Sequence, residues 1–188
     1  MPRIILGSKK GSKIAKPTHS HFTRPILARV KNSLFSSIKD RIPGAYFLDL
    51  FAGSGSCGIE ALSMGAKYAL FVERDRNQAN RIKEALKELG FENATRVFIG
   101  NSFLAIKRLK EGFDIIFLGP PYKDFLVNKT IDAIDKAFIL KDDGLVIAQH
   151  HKKEDISKEV GQLILKKQKK FGETVLSFYE KTKVDNSL

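Results

Sequence analysis

The chain has 188 residues, 43% hydrophobic and 29% charged, and a formal net charge of +12. That length and balance fit one folded domain with its own core, and exclude both a disordered chain and an enzyme with a separate substrate domain. No apolar run reaches the roughly 18 residues of a spanning helix, and the first residues are too short for a secretory leader, so a cytoplasmic protein without membrane contact is expected.

The charge is unevenly placed. Residues 1–46 hold ten Lys or Arg against the single acid Asp40, whereas residues 47–150 balance fourteen against fourteen. A neutral core with a basic N-terminal extension fits a polyanionic partner. Arg3, Lys9, Lys10, Lys13, Lys16, Arg24 and Arg29 are the candidate nucleic-acid contacts. Gly7, Gly11 and Pro17, with Ile4, Ile5, Leu6 and Ile14 among the lysines, point to an ordered hairpin or loop.

In chain order, residues 26–38 read as a helix, with Leu27, Val30, Leu34, Phe35 and Ile38 at three-to-four spacing and Pro25 suited to its first turn. Pro43-Gly44 breaks the chain before the apolar strand 46–51, which ends at a glycine cluster. Strands at 69–73, 96–99, 113–118 and 144–150 then alternate with helices at 76–89, 102–109 and 125–138. That alternation predicts a parallel sheet with helices on both faces. Two last strands, 163–167 and 174–179, are too closely joined to cross over and predict an antiparallel hairpin at the sheet edge. Lys166, Lys167, Lys169 and Lys170 suit either protection of that edge or an RNA surface.

Gly53-Ser54-Gly55-Ser56-Cys57-Gly58 reads G-x-G-x-x-G between a strand and a helix, and Glu73 ends the next strand 20 residues after Gly53. This is the order of an adenosine-cofactor site: glycines let the backbone approach the ligand, and the carboxylate accepts both ribose hydroxyls. Asp49 separates two cofactors. A dinucleotide fold continues apolar inside that strand, whereas a buried carboxylate needs a positive partner, which the ammonium and sulfonium of S-adenosylmethionine (SAM) supply. Capping the loop's own N–H groups is the alternative role for Asp49. Further on, Gly119-Pro120-Pro121-Tyr122 fixes the backbone past a strand's carboxyl end, where open α/β sheets bind ligands. Tyr122 offers a flat face to a base, or is the core tyrosine of a rigid turn. These four are the candidate catalytic residues.

With these motifs the chain resembles the class I SAM-dependent methyltransferases. Over nearly its whole length it resembles the bacterial RsmD family, which methylates N2 of a guanine in 16S ribosomal RNA. The resemblance lies in Arg3-Ile4-Ile5, Thr23-Arg24-Pro25, Asp49-Leu50-Phe51-Ala52-Gly53-Ser54-Gly55, Gly58-Ile59-Glu60-Ala61-Leu62, Phe71-Val72-Glu73, Gly100-Asn101-Ser102 and Leu176-Ser177-Phe178-Tyr179. It implies a Rossmann-like α/β fold with a seven-stranded, mostly parallel sheet, an antiparallel C-terminal hairpin and a basic N-terminal extension. It also implies an RNA-contacting arm and helix over residues 1–45 before a methyltransferase domain over 46–188. Asp49 and the loop Gly53, Ser54 and Gly55 would hold the methionine part of SAM, Glu73 the ribose, and Asn101 and Ser102 the adenine edge. Phe51, Ala52, Arg74 and Phe103 complete that set. The implied partner is ribosomal RNA, within the small subunit or an assembly intermediate, met by a cytoplasmic monomer.

Two residues depart from the family. Gly119 stands where an Asp, or an Asn in relatives, accepts a hydrogen bond from the amine being methylated, and the Pro120 carbonyl is a candidate substitute. Asn101 stands where Asp is usual, with an amide oxygen that can still accept from adenine. Gly119 leaves open a SAM-binding RNA module with weakened or lost catalysis. DNA or protein amino-methylation and a nicotinamide oxidoreductase are further alternatives. The single cysteine Cys57 excludes a disulfide framework, and no metal site is expected at His19, His21, His150 or His151.

Overall fold

Strands buried on both faces need apolar residues throughout, and the strand positions here carry them with little alternation. In the computed structural model, which describes residues 3–14, 28–122 and 124–182, they form β1 (Tyr46–Asp49), β2 (Tyr68–Glu73), β3 (Thr95–Ile99), β4 (Phe113–Leu118) and β5 (Leu140–His151). The helices are α1 (Ala28–Ile38), α2 (Ser56–Ser63), α3 (Arg76–Glu88), α4 (Ser102–Arg108) and α5 (Val127–Ala137). After β5 come β6 (Glu159–Val160), β7 (Leu163–Phe171) and β8 (Thr174–Lys181).

All eight strands join one sheet in the order β3-β2-β1-β4-β5-β8-β7-β6. The first five are parallel, and β8, β7 and β6 add antiparallel beside β5. One face packs on α1, α2 and α3 through residues such as Leu34, Ile59 and Ile82, and the other on α4 and α5 through Ile106 and Ile131. Strand order reverses between β1 and β4, which opens a crevice beyond their carboxyl ends.

Local chemistry explains the elements. Asp75 starts α3 by accepting from Gln78 N at 2.7 Å, a cap worth about 1 kcal/mol. The same helix buries Ala79, Ile82, Ala85 and Leu86 on one stripe. Gly58 lies so near the Phe71 ring that a Cβ there would come within 2.3 Å of it, so only a hydrogen allows α2 to pack this closely on β2.

Among the described residues the expected seven strands are eight. The additional one, β6, has two residues, too few to register in a sequence pattern. The expected hairpin exists, but β8 lies inside the sheet beside β5, and β6 with the rest of β7 forms the edge. The helix expected from residue 125 starts at Val127, because Phe125 takes the left-handed conformation at φ 47°.

The N-terminal extension packs on the core. Ile4 N donates to Ser12 O at 3.0 Å and Gly11 N to Ile4 O at 2.9 Å, closing a hairpin whose Ile4 and Ile14 join the same apolar cluster as α1. Glu60 of α2, fully buried, accepts from Ile5 N at 2.8 Å and from Leu6 N, and pairs with the buried Lys31 of α1 at 2.7 Å. Lys31 also donates to Arg3 O at 2.9 Å, so both charges are fully engaged. Among the described residues no helix is long and apolar enough to cross a membrane.

Candidate functional site

The crevice at the strand-order reversal holds a cleft between the carboxyl ends of β1 and β2, the start of α4 and the turn after β4. Phe51 enters it from the end of β1, Glu73 and Arg74 from β2, and Asn101, Ser102 and Phe103 from the start of α4, with Pro121 at the far side. Seven residues singled out in the sequence therefore meet in one place.

Backbone geometry builds the loop beside it. Ala52 N donates to Val72 O at 3.0 Å, and Gly55 N returns to Ala52 O at 2.7 Å. Gly53 and Gly55 both take positive φ, 55° and 73°, which side chains rarely adopt. A Cβ on Gly53 would meet no atom within 4 Å, so the loop presents open space there. Glu73 braces the loop, its Oε2 accepting from Gly53 N and its Oε1 from Asp75 N, each at 2.8 Å. A carboxylate offers about four lone-pair positions, so two remain for ribose hydroxyls.

Asp49 is 1% exposed. Its Oδ2 accepts from Gly58 N at a long 3.3 Å, and its Oδ1 is buried with no hydrogen-bond partner. Burial raises the carboxyl to about 7; the Gly58 N–H opposes that rise, the nearby Glu73 charge adds to it, and the Phe51 N–H opposes it. An unpartnered buried carboxylate is costly, and a cation placed against it removes the cost. The capping role considered for Asp49 is therefore present through Gly58 and leaves one oxygen unused.

The residues expected at the adenine edge divide. Asn101 caps α4, its Oδ1 accepting from Phe103 N at 2.8 Å, and it is exposed at the cleft. Ser102 donates to Leu50 O at 2.5 Å, which ties α4 to the end of β1 and spends its hydroxyl. Phe51 and Phe103 remain half-buried with apolar surface in the cleft, whereas Ala52 and Ser54 are buried.

The expected catalytic residues Gly119, Pro120, Pro121 and Tyr122 follow β4. The Tyr122 hydroxyl sits 3.0 Å from Thr174 Oγ1 and accepts from Gln149 Nε2 at 3.1 Å, and its ring lies 5.8 Å from that of His151. The ring is thus part of a polar cluster over β5 and β8 rather than a buried core tyrosine. A Cβ on Gly119 would make ordinary contacts, 3.5 Å to the Phe117 ring and 3.8 Å to Gln149 Cβ. Sequence reasoning missed Gln149, which is 8% exposed, and also Phe125, 57% exposed beside the cleft-lining Asp124 and Leu126. The excess of polar residues at the end of β5 was the available signal for Gln149.

The basic candidates sit on the N-terminal hairpin and α1. Arg3 Nη1 braces the hairpin through Gly11 O at 2.9 Å, while Lys10, Lys13 and Arg29 are exposed. Lys9 Nζ lies 6.0 Å from the Phe91 ring centre. Lys16 and Arg24, with His19 and His21, lie outside the described residues. Among the described residues no group of three or more His, Cys, Asp or Glu could hold a metal.

A doubly wound sheet with β8 inserted antiparallel beside β5, and a glycine loop with acids on two strands at its switch point, define the fold of the SAM-dependent methyltransferases. Known proteins agree and narrow the class. The family described as "Conserved hypothetical protein 95" matches residues 2–180, and the chain belongs to it, the RsmD family. YlbH of Bacillus subtilis is 36% identical over 182 residues, covering 95% of this chain and 98% of that one. Ribosomal RNA small subunit methyltransferase D of Escherichia coli strain K12 is 30% identical over 179 residues, 95% of this chain and 89% of the relative. The solved structure of yhhF from Escherichia coli superposes with a TM-score of 0.86 at 28% identity, covering 95% and 97% of the two chains.

Proposed function

We propose that this chain transfers the methyl group of SAM to the exocyclic N2 amine of a guanine in 16S ribosomal RNA. The observation that carries the reading is the unpartnered Asp49 Oδ1 at the base of the glycine loop, which fits the cationic methionine end of SAM. Glu73 would take the ribose, Phe51 and Phe103 would flank the adenine, and Asn101 would offer it polar contact. The relatives named as small-subunit ribosomal RNA methyltransferases support the substrate class, which favours RNA over DNA or protein amines.

Bound SAM supplies an electrophilic methyl carbon on a sulfonium. Everything else falls to the chain. Guanine N2 is a weak nucleophile because its lone pair is conjugated with the ring, so the site must align it and receive its N–H bonds. A stacked base cannot reach the cleft, so the base would be flipped against the Tyr122 ring, held in place by Gln149 and Thr174. Arg3, Lys9, Lys10, Lys13 and Arg29 would hold the RNA backbone from the ordered hairpin and α1, with the whole chain acting as a cytoplasmic monomer on the small subunit or its assembly intermediate.

The test mixes the protein with methyl-labelled SAM and small ribosomal subunits reassembled from unmodified 16S transcript, then digests the RNA to nucleosides. Labelled N2-methylguanosine is expected; label in another nucleoside, or none, removes the reading. Lys10→Ala and Lys13→Ala should each lower the salt dependence of RNA binding by about one ion while leaving the melting temperature unchanged. Gly119 favours a second reading, a SAM-binding RNA module without turnover, because that position has no side chain to accept from the amine.

A further inference from the structure

Methylation of a conjugated amine requires an acceptor for its N–H bonds, and the turn after β4 has no side chain at its first position, Gly119. The structure shows what occupies the adjoining space. Leu118 and Ala148 are register partners on the parallel strands β4 and β5, so Gly119 and Gln149 are the next residues on each. A Cβ on Gly119 would lie 3.5 Å from the Phe117 ring and 3.8 Å from Gln149 Cβ, so Gln149 borders the space that a side chain there would enter.

The Gln149 amide is oriented. Its Nε2 donates to the Tyr122 hydroxyl at 3.1 Å, which turns the amide oxygen away from Tyr122. Among the described residues no group donates to that oxygen, and the residue as a whole is 8% exposed. The Tyr122 hydroxyl in turn lies 3.0 Å from Thr174 Oγ1 on β8, so the network is fixed from three strands' ends. A free acceptor oxygen, held on a partly buried amide beside an empty side-chain position at the acceptor turn, is what an exocyclic amine needs.

We propose that Gln149 is a catalytic residue whose amide oxygen accepts a hydrogen bond from the amine undergoing methylation, in the role that the turn at Gly119 leaves vacant. This rests on the methyltransfer reading above. In the step, the N2 lone pair forms the new N–C bond as the S–C bond of SAM breaks, and its electron pair stays on sulfur as a neutral thioether. The proton then lost from N2 goes to water, since an amide oxygen orients the N–H bond without serving as a base. The same arrangement makes the site read an NH2 group rather than a carbonyl, since a carbonyl oxygen facing Gln149 Oε1 would set two acceptors against each other.

The test measures single-turnover transfer from methyl-labelled SAM to small subunits reassembled from unmodified 16S transcript. It compares the unchanged protein with Gln149→Leu, Gly119→Asp and the double variant, with SAM affinity measured by calorimetry for each. The Gly119→Asp side chain fits because its Cβ would make only ordinary contacts. Gln149→Leu is expected to slow transfer about a hundredfold at unchanged SAM affinity, and Gly119→Asp in the same chain to restore most of the loss. A Gln149 that served only to hold Tyr122 would not be rescued by a carboxylate on the neighbouring strand, so failed rescue overturns the proposal, as does full activity in Gln149→Leu. Activity in Gly119→Asp but not in the unchanged protein overturns it too, while leaving the methyltransfer reading intact for the fold. Absence of label from all four proteins removes both.

Discussion

At the carboxyl ends of β1 and β2, carboxylates are held by backbone N–H groups close in sequence: Asp49 by Gly58, nine residues on, and Glu73 by Gly53 and Asp75, 20 and two residues away. At the carboxyl ends of β4 and β5 the holding groups are side chains from far along the chain, Gln149 and Thr174 lying 27 and 52 residues from the Tyr122 hydroxyl they fix. Backbone donors cannot be altered by ordinary substitution, whereas side-chain donors can. The carboxylates at β1 and β2 are therefore positioned by groups that substitution leaves in place, whereas Tyr122 is positioned by side chains that substitution can remove.

The comparison breaks most severely at Glu60, where the cofactor side depends on a side chain after all. Glu60→Ala would leave Lys31 buried without its counter-ion and strip Ile5 and Leu6 of their acceptor, at a cost of about 3–5 kcal/mol in denaturant unfolding. Limited proteolysis should then cut within residues 7–13, which the native hairpin protects. A stability loss without new cleavage would mean that the hairpin is held by Ile4 and Ile14 alone.

A pH series isolates Asp49. Its carboxyl is raised to about 7 by burial, above the ordinary carboxylate value near 4. Between those values the folded chain keeps a proton that the unfolded chain has lost, so this contribution to stability is complete below about pH 4 and falls as pH rises to 7. Thermal unfolding at pH 5 and pH 8 should show a larger decline for the unchanged protein than for Asp49→Asn. Binding of a cationic ligand against the ionised carboxylate should release protons near pH 6 to 7, measurable by calorimetry in buffers of different ionisation enthalpy, and Asp49→Asn should abolish that release.

Gly58→Ala sharpens the contrast at the backbone level. The added methyl would press on the Phe71 ring, lowering stability by about 1–3 kcal/mol and displacing the glycine loop that α2 continues. Weakened SAM binding should accompany the lower melting temperature. The smallest effect belongs to the acceptor side: Tyr122→Phe removes one hydroxyl, costs about 1 kcal/mol in unfolding, and should leave SAM affinity untouched. A drop in SAM affinity in that variant would show that the two halves are coupled.

What was legible in the sequence follows the same division. The glycine loop, Asp49 and Glu73 lie within 25 residues of one another, and the loop's strand-turn-helix context is a local pattern. Parallel strands and α3 were likewise readable, because burial on two faces and a 3.6-residue stripe leave marks on composition. Gln149 left only the polar run at the end of β5, since its place beside Gly119 comes from register with β4 and its tie to Tyr122 from a hydroxyl 27 residues away. Glu60 was visible inside a family-like stretch, but its partners Ile5, Leu6 and Lys31 could be known only from the folded chain. The edge strand β6 and the left-handed Phe125 were lost for a different reason: two residues carry no periodicity, and a bulky residue at positive φ runs against its own preference.

The place of β8 inside the sheet makes the fold depend on residues near its carboxyl end. A nascent chain halted before residue 174 already contains the glycine loop, Asp49 and Glu73, yet lacks the strand that pairs with seven residues of β5 and the hydroxyl that anchors Tyr122. Its β5 would present an open edge to other chains, the surface that invites aggregation. Pairing of β8 with β5 is thus the event that both covers that edge and brings Thr174 to the Tyr122 hydroxyl.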